Sequence, residues 1–155
     1  MTRTARYVEQ HAQITRLAQE LRRHLVQQAL AVDAAAARQV LSLLSGKLSV
    51  HLAAEDRLLY PEVLHSPDPA TRAVGQRFLE AMGPISQAFR GYSIRWGTQD
   101  AIQSNPDAFV SETKAMLSDI EGRIRREEGE LYPLVEQLRS EGAAPAGVRT
   151  GRAAD

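Results

Sequence analysis

The chain has 155 residues, enough for one domain with its own hydrophobic core. Its nineteen basic and nineteen acidic residues cancel in formal charge, which argues against a nucleic-acid or anionic-membrane partner. It contains no cysteine, which excludes disulfides and thiolate metal sites and is typical of a reducing compartment. Because no apolar run approaches the roughly 18 residues of a membrane span, we expect a soluble cytoplasmic protein without a membrane partner.

Apolar residues recur three and four positions apart in four long segments, and this pattern predicts an all-helical protein. The segments are expected from about Thr4 to Ala31, from the N-cap Asp33 to Pro61 or slightly beyond, from near Ala70 with a kink at Gly83-Pro84, and from Asn105-Pro106 onward. Long amphipathic helices with short connections favour an antiparallel four-helix bundle with up-down-up-down topology. We expect the bundle to occupy residues 1–140 and residues 141–155, rich in Ala, Gly and Pro, to form a disordered tail.

Four polar residues interrupt the apolar faces of these helices. His11 lies on the first segment, His51 and Glu55 lie one turn apart on the second, and Glu127 lies on the fourth. Buried ionised carboxylates are costly unless a metal, a cation or several hydrogen bonds receive them. Two imidazoles and two carboxylates suit Fe(II), Mn(II) or Zn(II), and one divalent ion would make the set electrically neutral. The four residues therefore predict a site for a single metal ion.

An internal repeat separates two halves of this predicted site. Residues 51–61 read HLAAEDRLLYP and residues 123–133 read RIRREEGELYP. Both copies place an acidic pair five and four residues ahead of the tyrosine of a Tyr-Pro. Only the first copy begins with a histidine, because the second has Arg123 at the equivalent position. The guanidinium of Arg123 stays protonated and is expected to bind Glu127, one turn further on, or Glu55.

These residues resemble the hemerythrin-like family, also called HHE cation-binding proteins, over about residues 5–140. The resemblance rests on His11 followed by Ile14, on the run at 51–61, and on the run EExxLYP that begins at Glu127. Members of the family are four-helix bundles that hold a non-haem di-iron centre. The resemblance implies that His11 and His51 ligate one iron, while Glu55 and Glu127 are the carboxylates that bridge both irons.

The family's ligands for the second iron are absent from this chain. Met82 precedes Ile85 at the spacing by which His11 precedes Ile14, so a methionine stands where the family has a histidine. Arg123 stands where the family has the other histidine. The resemblance therefore implies one non-haem iron, or Mn or Zn in its place, rather than a di-iron centre, with Arg123 as a substitute for the lost metal. The expected role is binding or sensing of metal, dioxygen or a related small molecule.

Two other functions stay open from the sequence alone. In the first, the bundle binds no metal and acts as an interaction or signalling module, with Arg123 neutralising the buried glutamates. In the second, a mononuclear metalloenzyme acts on oxygen or peroxide.

Several neighbouring residues are expected to have structural roles only. Tyr60 and Tyr132 should pack in the core with satisfied hydroxyl groups, and Met82 should fill space there. Surface positions are expected for three residues: His24, His65 and Glu80.

Overall fold

The computed structural model describes residues 2–142, and this range is all-helical, as predicted. The helices are α1 (Ala5–Arg23), α2 (Gln27–Val32), α3 (Ala35–Ala54), α4 (Tyr60–Leu64), α5 (Pro69–Arg95), α6 (Gln99–Ser104), α7 (Pro106–Arg126) and α8 (Tyr132–Gly142). Two π-helical segments, Glu55–Leu59 and Glu127–Leu131, join α3 to α4 and α7 to α8 without a break. The first two residues of the predicted tail end α8, and the rest of that tail lies outside the described residues.

Polar side chains accept hydrogen bonds at the starts of three long helices, although the N-cap residue of α3 is Ala34 and not Asp33 as predicted. Asp33 and Asp68 each accept a hydrogen bond from a backbone N–H in the first turn of the helix that follows, α3 and α5 respectively. Asn105 does the same for α7. Pro69 and Pro106 occupy the first helical position of α5 and α7, where no intrahelical N–H bond is lost. These local signals fix where the helices start and hence the heights of the residues along them.

The first predicted helix is in fact two helices. α1 ends at Arg23, and Val26 adopts an extended backbone conformation before α2 begins. The bend allows α2 to pack against α6 and α7, where Leu30 is buried. Apolar spacing alone missed this break, because the spacing continues through it without a glycine or proline.

Each π-helical segment begins at a buried glutamate and precedes a Tyr-Pro pair. The Tyr60 N–H donates to the carbonyl of Glu55, five residues earlier, and the Tyr132 N–H donates in the same way to the carbonyl of Glu127. The following prolines have no N–H, and in a regular α-helix their rings would clash with the carbonyl four residues earlier. A widened turn removes that clash, so the repeated Tyr-Pro gives both glutamates the same local backbone.

The buried apolar residues form two clusters with a polar layer between them. Along α1, Ile14 belongs to one cluster and Tyr7 to the other, with His11 between them. The same order holds along α7 and its extension, where Ile120 and Leu131 lie on either side of the second glutamate. The two cores therefore enclose the polar side chains at one level of the helices. Within the described residues, no helix is long and apolar enough to cross a membrane.

Candidate metal centre

Four side chains meet in the polar layer between the two apolar clusters. They are His11 from α1, His51 from α3, and Glu55 and Glu127 from the starts of the two π-helical segments. Each is at most 1% exposed. One nitrogen or oxygen atom from each residue lies within 4.8 Å of those from the others. The structure thus brings together the four residues that interrupt the apolar stripes in the sequence.

Three of four distances within this cluster fall in the range expected between neighbouring ligands of a metal ion, and the fourth is longer. The Nε2 atom of His11 lies 3.0 Å from His51 Nε2 and 3.1 Å from Glu127 Oε2. The Nε2 atom of His51 lies 3.4 Å from Glu55 Oε1 and 3.9 Å from Glu127 Oε2. Metal–ligand bonds of about 2.0–2.2 Å place adjacent ligand atoms roughly 3–3.6 Å apart. The set is therefore compact enough for a single ion.

Outer hydrogen bonds set the proton positions on both imidazoles. The Nδ1 atom of His11 lies 2.8 Å from Glu128 Oε1, and the Nδ1 atom of His51 lies 2.9 Å from Gln10 Oε1. Both partners are acceptors, so we infer that each Nδ1 carries a hydrogen and donates it. Both Nε2 lone pairs then face each other across 3.0 Å, beside two carboxylates. Four converging acceptors require a proton or a metal ion between them, and the donor set fits a divalent metal.

The contacts of Gln10 and Glu128 with the histidines were not predicted from the sequence. Both lie beside predicted ligands in the chain and outside the apolar stripe, which is why the periodicity did not reveal them. Glu128 is partly exposed, with 40% of its side chain accessible. A polar residue adjacent to a predicted ligand was the available signal. It is a weak signal, since many such neighbours simply face solvent.

Arg123 is buried against the two glutamates, as the comparison of the repeats suggests. Its Nε donates to Glu127 Oε1 at 2.5 Å, and its Nη2 donates to Glu55 Oε2 at 2.8 Å. Its Nη1 donates to the Ser86 hydroxyl at 2.8 Å and to the Met82 carbonyl at 3.4 Å. The guanidinium thus takes one oxygen of each carboxylate, while the other oxygens face the histidines.

The two tyrosines of the repeat have different surroundings. The Tyr132 hydroxyl donates to Glu55 Oε1 at 2.7 Å and lies 3.1 Å from His11 Nε2. The Tyr60 hydroxyl is buried and has no hydrogen-bond partner among the described residues. The expectation of a satisfied hydroxyl is therefore right for Tyr132 and wrong for Tyr60. Met82 and Arg123 line the same cavity as Tyr60, and neither side chain offers the Tyr60 hydroxyl an oxygen or nitrogen acceptor.

Burial and neighbouring charges shift the pKa values of the cluster in different directions. Burial raises the pKa of Glu55 above its ordinary value, and the negative charge of Glu127 raises it further. Burial acts likewise on Glu127, but the hydrogen bond with His11 and the charge of Arg123 outweigh it and hold the pKa of Glu127 well below its ordinary value. Burial would lower the pKa of His11, yet hydrogen bonds to Glu127 and Glu128 raise it overall. Glu55 and His11 therefore keep their protons to higher pH than usual.

The remaining candidate residues lie outside the cluster. Met82 is buried in the apolar cluster that contains the two tyrosines, as expected for a residue that fills space in the core. His65 is exposed and contacts the carbonyl of Pro61, and Glu80 is exposed. His24 is half-buried at the end of α1 instead of fully on the surface.

One protein-family sequence model matches most of the chain. It is the hemerythrin HHE cation binding domain, and the match covers residues 2–135. That range contains the four cluster residues, Arg123 and both copies of the repeat. No curated protein and no solved structure matches the chain significantly.

Proposed function

The chain belongs to the hemerythrin HHE cation-binding domain family, and from this premise we propose that it binds one divalent metal ion per chain through His11, His51, Glu55 and Glu127. The observation that carries the proposal is the orientation of the two imidazoles. Their Nδ1 atoms lie 2.8 and 2.9 Å from the acceptor oxygens of Glu128 and Gln10, so their Nε2 atoms are directed toward the carboxylates. Histidine ligands of metals are held in this way by outer acceptors.

A single metal ion is favoured because the guanidinium of Arg123 stands beside both carboxylates, where a second metal ion would otherwise supply positive charge. Two carboxylates and one guanidinium leave one formal negative charge, and a divalent ion converts this to one positive charge. Arg123 donates hydrogen bonds to Glu127 Oε1 and Glu55 Oε2, so these two oxygens are not free to bind another ion. We therefore propose a mononuclear centre in place of a di-iron centre.

Imidazole and carboxylate ligands suit iron, manganese and zinc. We propose iron first, from the resemblance to the family, with manganese or zinc as alternatives. A bound iron would supply a redox-active Lewis acid to which dioxygen or a related small molecule can bind. The role we propose is binding or sensing of metal, dioxygen or such a molecule. The antiparallel up-down-up-down bundle, its extent over residues 1–140 and the cytoplasmic location belong to the same proposal.

A metal-free interaction or signalling module is the second candidate function. The observation that favours it is that Arg123 already donates a hydrogen bond to each buried carboxylate and that Tyr132 donates another to Glu55. A bundle with these bonds can be stable without a metal. The two candidates differ in whether a metal displaces protons from the cluster.

Metal affinity is expected to rise with pH, and measuring the affinity at two pH values tests the proposal. In the metal-free protein, the raised pKa values of His11 and Glu55 keep protons on groups that must lose them to bind metal. As pH rises through these pKa values the protons leave, whereas Glu127 is already ionised and adds no dependence. Zinc affinity, measured by competition with a chelator of known pH dependence, should increase about 10- to 100-fold from about pH 6 to about pH 8. Absence of zinc binding at both pH values would contradict the proposal.

Gln10→Ala is expected to weaken zinc binding about 10- to 100-fold, because His51 loses the acceptor that fixes its tautomer. The matched control is Gln13→Ala, which removes a glutamine of the same helix that accepts a hydrogen bond from Lys47 instead. Zinc competition titrations of both variants provide the measurement. Equal affinities in the two variants would show that Gln10 does not position His51.

A further inference from the structure

A second cavity borders the polar layer on the side of Arg123. It has a volume of about 330 Å³ and lies between α5 and the first π-helical segment with α4. Its lining includes Tyr60, Gly83, Ser86, Arg90 and Arg123. The cavity is thus separate from the space between the histidines but shares the guanidinium with it.

The unpaired hydroxyl of Tyr60 is the first observation that indicates a ligand site in this cavity. Its side chain lines the cavity, only 2% of the residue is exposed, and its hydroxyl lacks a partner among the described residues. A buried hydroxyl without a hydrogen bond costs about 1–3 kcal/mol relative to one that is paired. Native proteins rarely leave such a group without a protein, water or ligand partner.

Arg123 is the second sign. A guanidinium has five N–H donors, and four hydrogen bonds join those of Arg123 to Glu127, Glu55, Ser86 and the Met82 carbonyl. One Nη2 hydrogen is left without an acceptor in the described part of the chain. A phenol hydroxyl and a guanidinium N–H are both donors to anions.

The charges around the cavity favour an anion once metal is bound. Arg90 and Arg123 contribute two positive charges to its walls, and Asp56 contributes one negative charge. Behind Arg123, the two buried carboxylates leave one formal negative charge when the cluster holds neither an extra proton nor a metal, and a divalent ion then converts this to one positive charge. The electrostatic potential in the cavity should therefore become more favourable to an anion on metal loading.

We propose that this cavity is a binding site for a small monoanion of the carboxylate or oxoanion type. The Tyr60 hydroxyl and the free Nη2 hydrogen of Arg123 donate to it, and Arg90 attracts it electrostatically. The increase of anion affinity on metal loading rests on the proposed metal centre, whereas the cavity itself does not. The two sites are thermodynamically linked, so the anion in turn strengthens metal binding.

Formate is a probe small enough for this cavity. In the full chain labelled with ¹⁵N, formate added at constant ionic strength should shift the amide signals of Gly83 and Gln87 in a saturable way. We expect a Kd on the order of 1–10 mM without metal and about tenfold tighter binding with zinc. If neither state shows saturable shifts, the cavity holds water only and the anion site is wrong. Zinc binding without formate binding would leave the metal centre intact and overturn the anion site. Formate binding without zinc binding would support the anion site and contradict the metal centre.

Two glycines of α5 provide matched variants. A Cβ atom added at Gly83 or at Gly91 would meet no neighbouring atom within 4 Å, but only Gly83 lines this cavity. Gly83→Val should abolish the formate shifts, and Gly91→Val should leave them unchanged. Tyr60→Phe removes only the unpartnered hydroxyl, so it should fold normally and weaken formate binding about tenfold. If formate bound equally well to Gly83→Val and Tyr60→Phe, it would be bound elsewhere, for instance on the metal, and the proposal would be overturned.

Discussion

Arg123→Ala is expected to lower the free energy of unfolding of the metal-free protein by about 3–5 kcal/mol, because it leaves two buried carboxylates without their cation. Glu55 and Glu127 are fully buried, so water cannot replace the lost hydrogen bonds without opening the core. Denaturant unfolding in the presence of a chelator measures the effect. Excess zinc should reduce the loss, since a metal ion also stabilises the carboxylates.

Arg125→Ala is the control for this variant. It removes an exposed arginine two positions away on the same helix, so the expected change is within about 0.5 kcal/mol. A lysine at position 123 should restore only part of the stability, because an ammonium group cannot reproduce the planar set of donors. If Arg123→Ala and Arg125→Ala unfold at the same denaturant concentration, Arg123 does not neutralise the buried glutamates.

His51→Ala is expected to weaken zinc binding by more than the roughly 10- to 100-fold that is typical for loss of an outer hydrogen-bond partner. The variant removes one of the two neutral nitrogen ligands and leaves the carboxylates in place. Competition with a chromophoric chelator measures the affinity. His65→Ala is the matched control, because His65 is exposed and its ring lies within hydrogen-bond distance of the Pro61 carbonyl, away from the cluster.

A parent-like affinity in His51→Ala would mean that the metal binds elsewhere or that another donor replaces the imidazole. The circular dichroism of the variant should resemble that of the parent, since the alanine keeps the helical propensity of α3. Reduced metal binding in a folded variant therefore separates loss of a ligand from loss of structure.

The residues that interrupt apolar stripes could be predicted from the sequence because helix geometry fixes their direction. His11, His51, Glu55 and Glu127 each lie at stripe positions, so their burial followed from the same periodicity that predicted the helices. Arg123 is also on the buried side of α7, and comparison of the two repeats identified it. The start of α7 was predicted correctly because the Asn105-Pro106 signal acts locally.

The features that depend on side-chain partners could not be read from periodicity. The contacts of Gln10 and Glu128 with the histidines cross between helices, and residue type alone does not specify them. The unpaired Tyr60 hydroxyl could not be predicted from the sequence either, because the same Tyr-Pro motif in the other copy of the repeat has two partners for its hydroxyl. The π-helical turns did have a local signal, the proline six residues after each glutamate, which the sequence analysis did not use.

The two copies of the repeat differ mainly in what surrounds the equivalent backbone. In one half, the Tyr132 hydroxyl contacts Glu55 and His11 and completes a closed hydrogen-bond network. In the other half, Met82 and Arg123 leave the Tyr60 hydroxyl unpaired beside a cavity. The asymmetry therefore joins the two proposals, since the Tyr132 hydroxyl contacts two of the proposed metal ligands, whereas Tyr60 and Arg123 line the cavity.

The most direct test of the central claim is the metal content per chain after anaerobic loading with excess Fe(II), removal of free metal and elemental analysis. The account predicts about one iron per chain, because the four ligands converge on one position and Arg123 occupies the second oxygen of each carboxylate. A ratio near two would contradict the role given to Arg123. A ratio near zero, repeated with manganese and zinc, would contradict the metal centre itself.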